Sequence, residues 1–479
     1  MFNFLKNLAN VGTMTKATKL SYEDVAKLLN VSPEAVKEFE EAYLNADFAN
    51  GISDNLFEIN AKQMSELRSN EASDNSPANE LIDRIVKELI SQTEVYSYEP
   101  DKKKSIIYDY TKALPCTDMV TKEDINTLPA EMQPQLTGRM MKIDIPDSGL
   151  MLASHYKRYL SETNPAMKKQ AYGMFRQGLD MLDLDNLTYA MIDTNPNSMG
   201  NWLPYITNAV DNEGFFKIPA TKIIKVPITM LQLTRNEYMS LSKTTMDIVN
   251  KYCYEVFGLE DDKDYFIKTG TYSSKFDFRN AKVSGAKEVR ELGEYLLYIH
   301  WQALQMAHYD LSGRNQPCIY GVSTTTEWVV REFIPDIENN LTIYHGLPLR
   351  TEYRAFVDFD TKQVIGMHPY WDPDVMLDKF SKNVESDIDA KHDYITYMAN
   401  KDAIMNRYEA NKDTVIKHLE SILPNIDLKG QYSVDIMQNG NDFYIIDMAI
   451  AENSAFYDCV PNELRNPIEE NWLPLLSKE

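Results

Sequence analysis

The sequence predicts an α+β fold preceded by a largely helical N-terminal region. Three observations lead there. The chain has 479 residues, 43% of them hydrophobic and 25% charged, which is ordinary for a soluble globular protein and leaves room for about two to four domains. Beyond residue 213, short β-type runs alternate with helical periodicity in the order strand, helix, strand, loop, helix, strands, helix, hairpin. Before it, apolar residues fall mostly at helical spacing, as in LIDRIVKELI.

Residues 1–64 read as a small helical module. Ser21 with Asp24 after it forms a capping-box-like start, and Ser32-Pro33 opens a second helix across the LLNVS turn. This resembles a helix-turn-helix unit. The second helix, however, carries Glu34, Glu38, Glu40 and Glu41 against Lys37, a face that repels phosphate and fits a packing or protein-contact role better than DNA reading. The polar stretch Ser65 to Asn79, with Pro77, reads as a linker. Residues 80–212 read as a mixed, mainly helical domain, with helices broken at Pro165 and a loop from Asp193 to Gly200.

From 213 to 479 the pattern is sharper. GFFKIPATKIIKVP is strand-like, a helix is expected from Arg235 towards Phe257, and DYFIKTG is a strand followed by the polar loop TYSSKFDFRN. A long helix, AKEVRELGEYLLYIHWQALQMAH, precedes the β-type runs TEWVVREFIP, TEYRAFVDFD and QVIGMHPYW. After a helix ending near Leu423, YSVDIM and DFYIIDM form a hairpin around Asn439-Gly440-Asn441.

Charge narrows the function. The 49 Lys+Arg against 72 Asp+Glu leave a net charge of −23, so generic nucleic-acid or anionic-membrane binding is disfavoured. No run is long enough for a signal peptide or a membrane span, and a cytoplasmic chain is expected. Cys116, Cys253, Cys318 and Cys459 are far apart and none lies in a C-x-x-C pair, so they read as buried apolar residues rather than zinc ligands or disulfides. The tryptophans read as core or hinge residues.

Three groups of residues carry chemistry. Lys268 ends a strand and is followed by Gly270, Ser273, Ser274 and Lys275, the donors and positive charge that phosphate oxygens need; the plainer reading is a solvated turn. Asp435 and Asp447 lie about equally far from the hairpin turn, each among apolar residues, so both carboxylates can face one side of the sheet and suit Mg²⁺. Glu352 and Arg354 share a strand face opposite Tyr353 and Ala355. An arginine there can clamp a phosphoryl group or simply form a cross-strand salt bridge.

Taken in order, GFFKIPATKII, YFIKTG, TYSSKFDF, VVREFI, TEYRAFV with Gly366, VDIM and YIIDM resemble the ATP-grasp superfamily over Gly214 to Asn453. The series looks closest to the cell-division-cycle branch that helps assemble a translation-initiation factor, and to ATP-grasp proteins encoded by phages. The resemblance implies a two-lobed ATP-grasp domain over 213–479, with lobes 213–325 and 326–479. It implies Lys225 and Lys268 on the ATP phosphates, covered by Ser273, Ser274 and Lys275, with Arg331 nearby and Glu332, Phe333 and Ile334 holding adenine through the backbone. Glu352 would contact ribose or the lysine, Arg354 the γ-phosphate or an acyl phosphate, and Asp435 and Asp447 would hold Mg²⁺. One departure is Ala449, where the family places Asn; Glu452 or Asn453 would substitute as ligand.

The implied activity is an ATP-dependent carboxylate–amine ligase. It would pass through an acyl phosphate on an unidentified carboxylate, peptide or protein substrate, with Lys268 and Arg354 as catalytic residues. The alternative, favoured by Ala449 and the acidic N-terminal helices, is an ATP-binding assembly factor with little turnover. A third reading, RNA modification or repair, needs a local basic patch. HYDLSGRN resembles a kinase catalytic loop, but no D-F-G follows it.

Overall fold

The computed structural model describes residues 33–34, 76–100, 104–109, 148–181, 184, 186–235, 238–310, 324–381, 384 and 387–466. Apart from 33–34, the helices expected between Leu20 and Phe48 lie outside the described residues, as do Cys116, Cys318, Trp472 and most of the linker. The linker's last residues open a helix at Ser76–Ser91, with Pro77 in the first turn, where a missing N–H costs nothing.

The strands in chain order are β1 (Glu94–Glu99), β2 (Lys104–Asp109), β3 (Phe216–Lys217), β4 (Thr221–Lys225), β5 (Tyr265–Thr269), β6 (Lys282–Val283) and β7 (Glu327–Glu332). They continue with β8 (Thr342–Ile343), β9 (Leu347–Pro348), β10 (Glu352–Asp358), β11 (Gln363–Pro369), β12 (Gln431–Asn439) and β13 (Asp442–Ile450). Helices and sheets together make an α+β fold. One sheet has the order β2-β1-β4-β7-β5-β6 and the other β11-β10-β12-β13-β3, with β8 and β9 a separate ribbon.

The region 80–212, expected to be mixed and mainly helical, contributes strands as well as helices. It supplies β1 and β2, and β1 pairs with β4 from Glu94↔Lys225 to Tyr98↔Thr221. Alternation then sorts the side chains. Val95, Ile224, Ile267, Trp328 and Val330 join a core with the helices Ser76–Ser91, Ser148–Ser161, Pro165–Met181, Lys243–Phe257 and Leu292–Asp310. Tyr96, Tyr98, Ile223 and Val329 point the other way. They share a second core with the helix Leu203–Glu213 and with Tyr353, Ala355, Val434 and Ile436 of the five-stranded sheet. One core therefore crosses the boundary expected at 213.

Local signals set the ends of elements. The helix expected from Arg235 starts at Lys243, because Ser242 caps it by accepting the Thr245 N–H at 3.2 Å. The long helix that follows is interrupted at Glu291 into Gly285–Arg290 and Leu292–Asp310. Trp202, Trp301, Trp328, Trp371 and Cys253 are buried, and Cys459 is half-buried. No described helix is long and apolar enough to cross a membrane.

Gly293 lets the helices Lys243–Phe257 and Leu292–Asp310 approach closely: a Cβ there would stand 2.6 Å from the Val249 carbonyl oxygen. Gly293→Ala should therefore force the helices apart and cost about 1–3 kcal/mol. The check is a lowered urea midpoint; an unchanged one would mean that this contact is not constraining.

Candidate functional site

Strand register brings the chemistry-bearing residues together. In β5 and β7 the pairs Phe266↔Arg331 and Lys268↔Val329 put Phe266, Lys268 and Arg331 on the sheet face that meets the five-stranded sheet. In the second sheet Arg354 stands opposite Asp435, and Asp435 opposite Asp447. The pairing slips by one residue beyond Asp435, leaving Ile446 as a bulge.

These faces border a cleft of about 120 Å³. One end is lined by Arg331, Glu332, Phe333 and Ile334 with the apolar side chains of Phe266, Phe278, Leu347, Met437 and Ile446. The other holds Lys268, Ser273, Lys275, Glu352, Asp435 and Asp447. An apolar slot thus runs into a charged end.

The charged end is internally paired. Lys268, 2% exposed, places its Nζ 2.8 Å from an Asp447 oxygen. Arg354 grips both oxygens of Asp435, at 2.7 Å each, the fork-on-carboxylate geometry that only arginine provides. Burial opposes the charge on Arg354, but Asp435 outweighs it and raises the guanidinium pKa. Burial likewise opposes charge on Lys275, and the fields of Tyr370, Glu352 and Asp435 overcome it. Lys275 donates to the Tyr370 hydroxyl and lies 4.1 Å from its ring centroid. Arg331 donates to Thr221 Oγ1 at 3.1 Å and to the Ile446 carbonyl at 2.5 Å. Burial pulls its pKa down to about 10.

Several expected residues lie elsewhere. Lys225 is turned to Asp193 at 2.8 Å and Glu94 at 3.8 Å, with Glu327 standing between its strand and β5, and it does not line the cleft. Ser274 is buried and donates to Gln302 Oε1 at 2.6 Å, so its hydroxyl is spent inside the fold. Arg354 stands behind Asp435 rather than in the lining. Asn453 accepts the Asn197 amide at 3.0 Å, away from the two aspartates' cleft.

Arg350 was missed. It lines the cleft, donates to the Ile334 carbonyl at 2.9 Å and contacts Met437 Sδ at 3.1 Å and Asp336 at 3.4 Å. Reading the alternation of Glu352 and Arg354 two residues upstream would have found it.

Asp435 and Asp447 offer the hard oxygens that Mg²⁺ takes, one or two carboxylates completed by phosphates and water, so these residues fit that ion. Among the described residues no group of three or more Asp, Glu, His or Cys converges on a metal position. Any further ligands would come from substrate and solvent.

No protein-family model matches the chain, and no curated protein matches it. Solved structures do, among them C-terminally truncated Cdc123 from Schizosaccharomyces pombe, at TM-score 0.32, and Cdc123 from the same organism, at 0.31. Each is 15% identical, and the match covers 60% of this chain and 97% of the other. The site's chemistry therefore rests on its own residues.

Two outcomes follow. Arg350→Met leaves the half-buried Ile334 carbonyl without its donor and should cost about 1 kcal/mol in urea unfolding, which Arg350→Lys recovers only in part. Glu352 is raised from the ordinary 4.5 to about 7, by burial first and by Asp435, against Lys275 and Arg350. A raised acid stabilises fully below its unfolded value and loses that contribution as pH rises through the folded one. Between about pH 5 and 8 the wild type should lose on the order of 2–3 kcal/mol more than Glu352→Gln; parallel pH profiles would refute the assignment.

Proposed function

We propose that this chain is an ATP-binding protein whose cleft holds Mg-ATP in the ATP-grasp manner, and that it acts on a protein partner with little turnover. The observation that carries the reading is the charged end of the cleft. There the buried Lys268 and the loop residue Lys275 face two aspartates, beside an apolar slot. Lys268 and Lys275 would meet the phosphates, with the Ser273 hydroxyl as a further donor. Asp435 and Asp447 would hold Mg²⁺, which supplies neutralisation of phosphate charge. Arg354 acts in this reading by fixing the orientation of Asp435.

Low turnover is supported by how fully the acids are engaged. Arg354 takes both Asp435 oxygens, Lys268 takes Asp447, and the Asn453 amide oxygen is used by Asn197. The second reading, an acyl-phosphate ligase, is favoured by Glu352. Held near 7 beside Lys275, it can exchange a proton at neutral pH, as general acid–base chemistry requires.

The test is calorimetry with Mg-ATP, followed by assay of ADP and AMP with and without cell lysate. Wild type should bind ATP, and Lys268→Met should weaken binding at least about tenfold. Binding with little ADP supports the partner-directed reading, substrate-dependent ADP supports the ligase, and AMP argues for nucleotidyl transfer. No Lys268-dependent binding would sink the assignment.

A further inference from the structure

Glu327 shares the inner face of the six-stranded sheet with Lys268 and Arg331, yet it takes no part in the cleft lining. It is 1% exposed. Its Oε2 accepts the Gly200 N–H at 2.9 Å, and its main-chain oxygen accepts the Gly270 N–H at 2.9 Å. Both glycines are close-packed against the carboxyl. A Cβ at Gly200 would stand 2.3 Å from Oε1, and one at Gly270 would stand 2.6 Å from Oε2.

The two glycines belong to the segments that border the charged end. Gly270 opens the loop of Ser273 and Lys275. Gly200 belongs to segment 193–201, whose Met199 N–H donates to the Gly270 carbonyl at 3.0 Å. From the same segment, the Asn197 side chain accepts the Ile450 N–H at 2.6 Å, on the strand that carries Asp447. One carboxyl group is therefore wedged between both segments.

The titratable groups around it are Lys225 on β4, Lys268 on β5, and Asp193 and Tyr189 on the helix Asn186–Asp193, with Glu94 on β1 paired to Lys225. Burial is the largest influence and holds the acid near 7; Asp193 adds to it, while the Gly200 N–H, Lys225 and Lys268 oppose.

We propose that Glu327 is a positioning residue that braces the Gly200 and Gly270 segments behind Lys268, and that it takes up a proton when a polyanion occupies Lys268. The inference rests on the nucleotide reading. Lys268 is one of the cations that favour ionised Glu327; a nucleotide seated there takes the place of Asp447 on Lys268 and, even with its metal, brings net negative charge to the same side, so proton uptake from buffer is favoured. The protonated carboxyl still has an oxygen to accept the Gly200 N–H, and the brace survives.

The experiment titrates the whole protein with Mg-ATP near pH 7 in two buffers of different ionisation enthalpy, which yields the protons taken up per nucleotide. Wild type should take up roughly half a proton more than Glu327→Gln; contributions common to both, from Glu352 and from the γ-phosphate, cancel. Lys225→Met removes an opposing cation and should move the pH of greatest uptake upward, which keeps the proposal testable if Glu327→Gln fails to fold. Equal proton counts in wild type and Glu327→Gln, or a Lys225→Met profile identical to wild type, would overturn the proposal while ATP binding stands. Failure of wild type to bind ATP removes the nucleotide reading and this inference with it.

Discussion

The direct cross-strand pairing of Asp435 with Asp447 is the constraint on which the centre of the structure depends. Like charges opposite each other in a sheet repel, and these two are held side by side by the hairpin register. Each is answered by a cation from a different place. Arg354 answers Asp435 from the neighbouring strand of the same sheet, and Lys268 answers Asp447 from the other sheet. A lysine buried to 2% needs such a partner as much as the aspartate does. The repulsion is thereby converted into a tie between the sheets, and the cleft lies along it.

Segment 193–201 shows the same logic in uncharged groups. Its Asn, Pro, Ser and Gly residues read as a loop, and a loop wedged between two sheets must find partners for its backbone and side-chain dipoles. Asn195 donates to Thr324, Ser198 Oγ pairs with Thr325 Oγ1, and Asn197 bridges to Ile450 and Asn453. Glu327 completes the set from below. The polar character that made this stretch look like solvent-facing punctuation is what lets it cross the interior.

What the sequence revealed followed from short-range rules. Equal distance from the Asn439–Asn441 turn was enough to pair Asp435 with Asp447, and strand alternation was enough to put Glu352 and Arg354 opposite the buried Tyr353 and Ala355. What it concealed depended on long-range partners. EVYSYE is too short and too charged at its ends to announce a strand, and it becomes one by pairing with β4 well over a hundred residues later. Lys225 was expected on the phosphates from the family resemblance alone. Only the positions of Asp193 and Glu94, which come from other elements, show where its charge is spent.

The net charge of −23 and the proposed site for a polyanion are reconciled by the same paired ions. Lys268 engaged by a phosphate would release Asp447, leaving its carboxylate unpaired directly opposite Asp435, where like charges repel. Asp447 engaged by a divalent cation would instead leave Lys268 buried without a partner. When anion and cation arrive together, Lys268 and Asp447 each exchange one partner for another and no buried charge is left uncompensated. In the proposed reading the chain's excess of acid then matters little, because the cleft would admit a neutralised pair rather than a bare polyanion. The pre-formed Lys268–Asp447 bond would make each component a poor ligand alone.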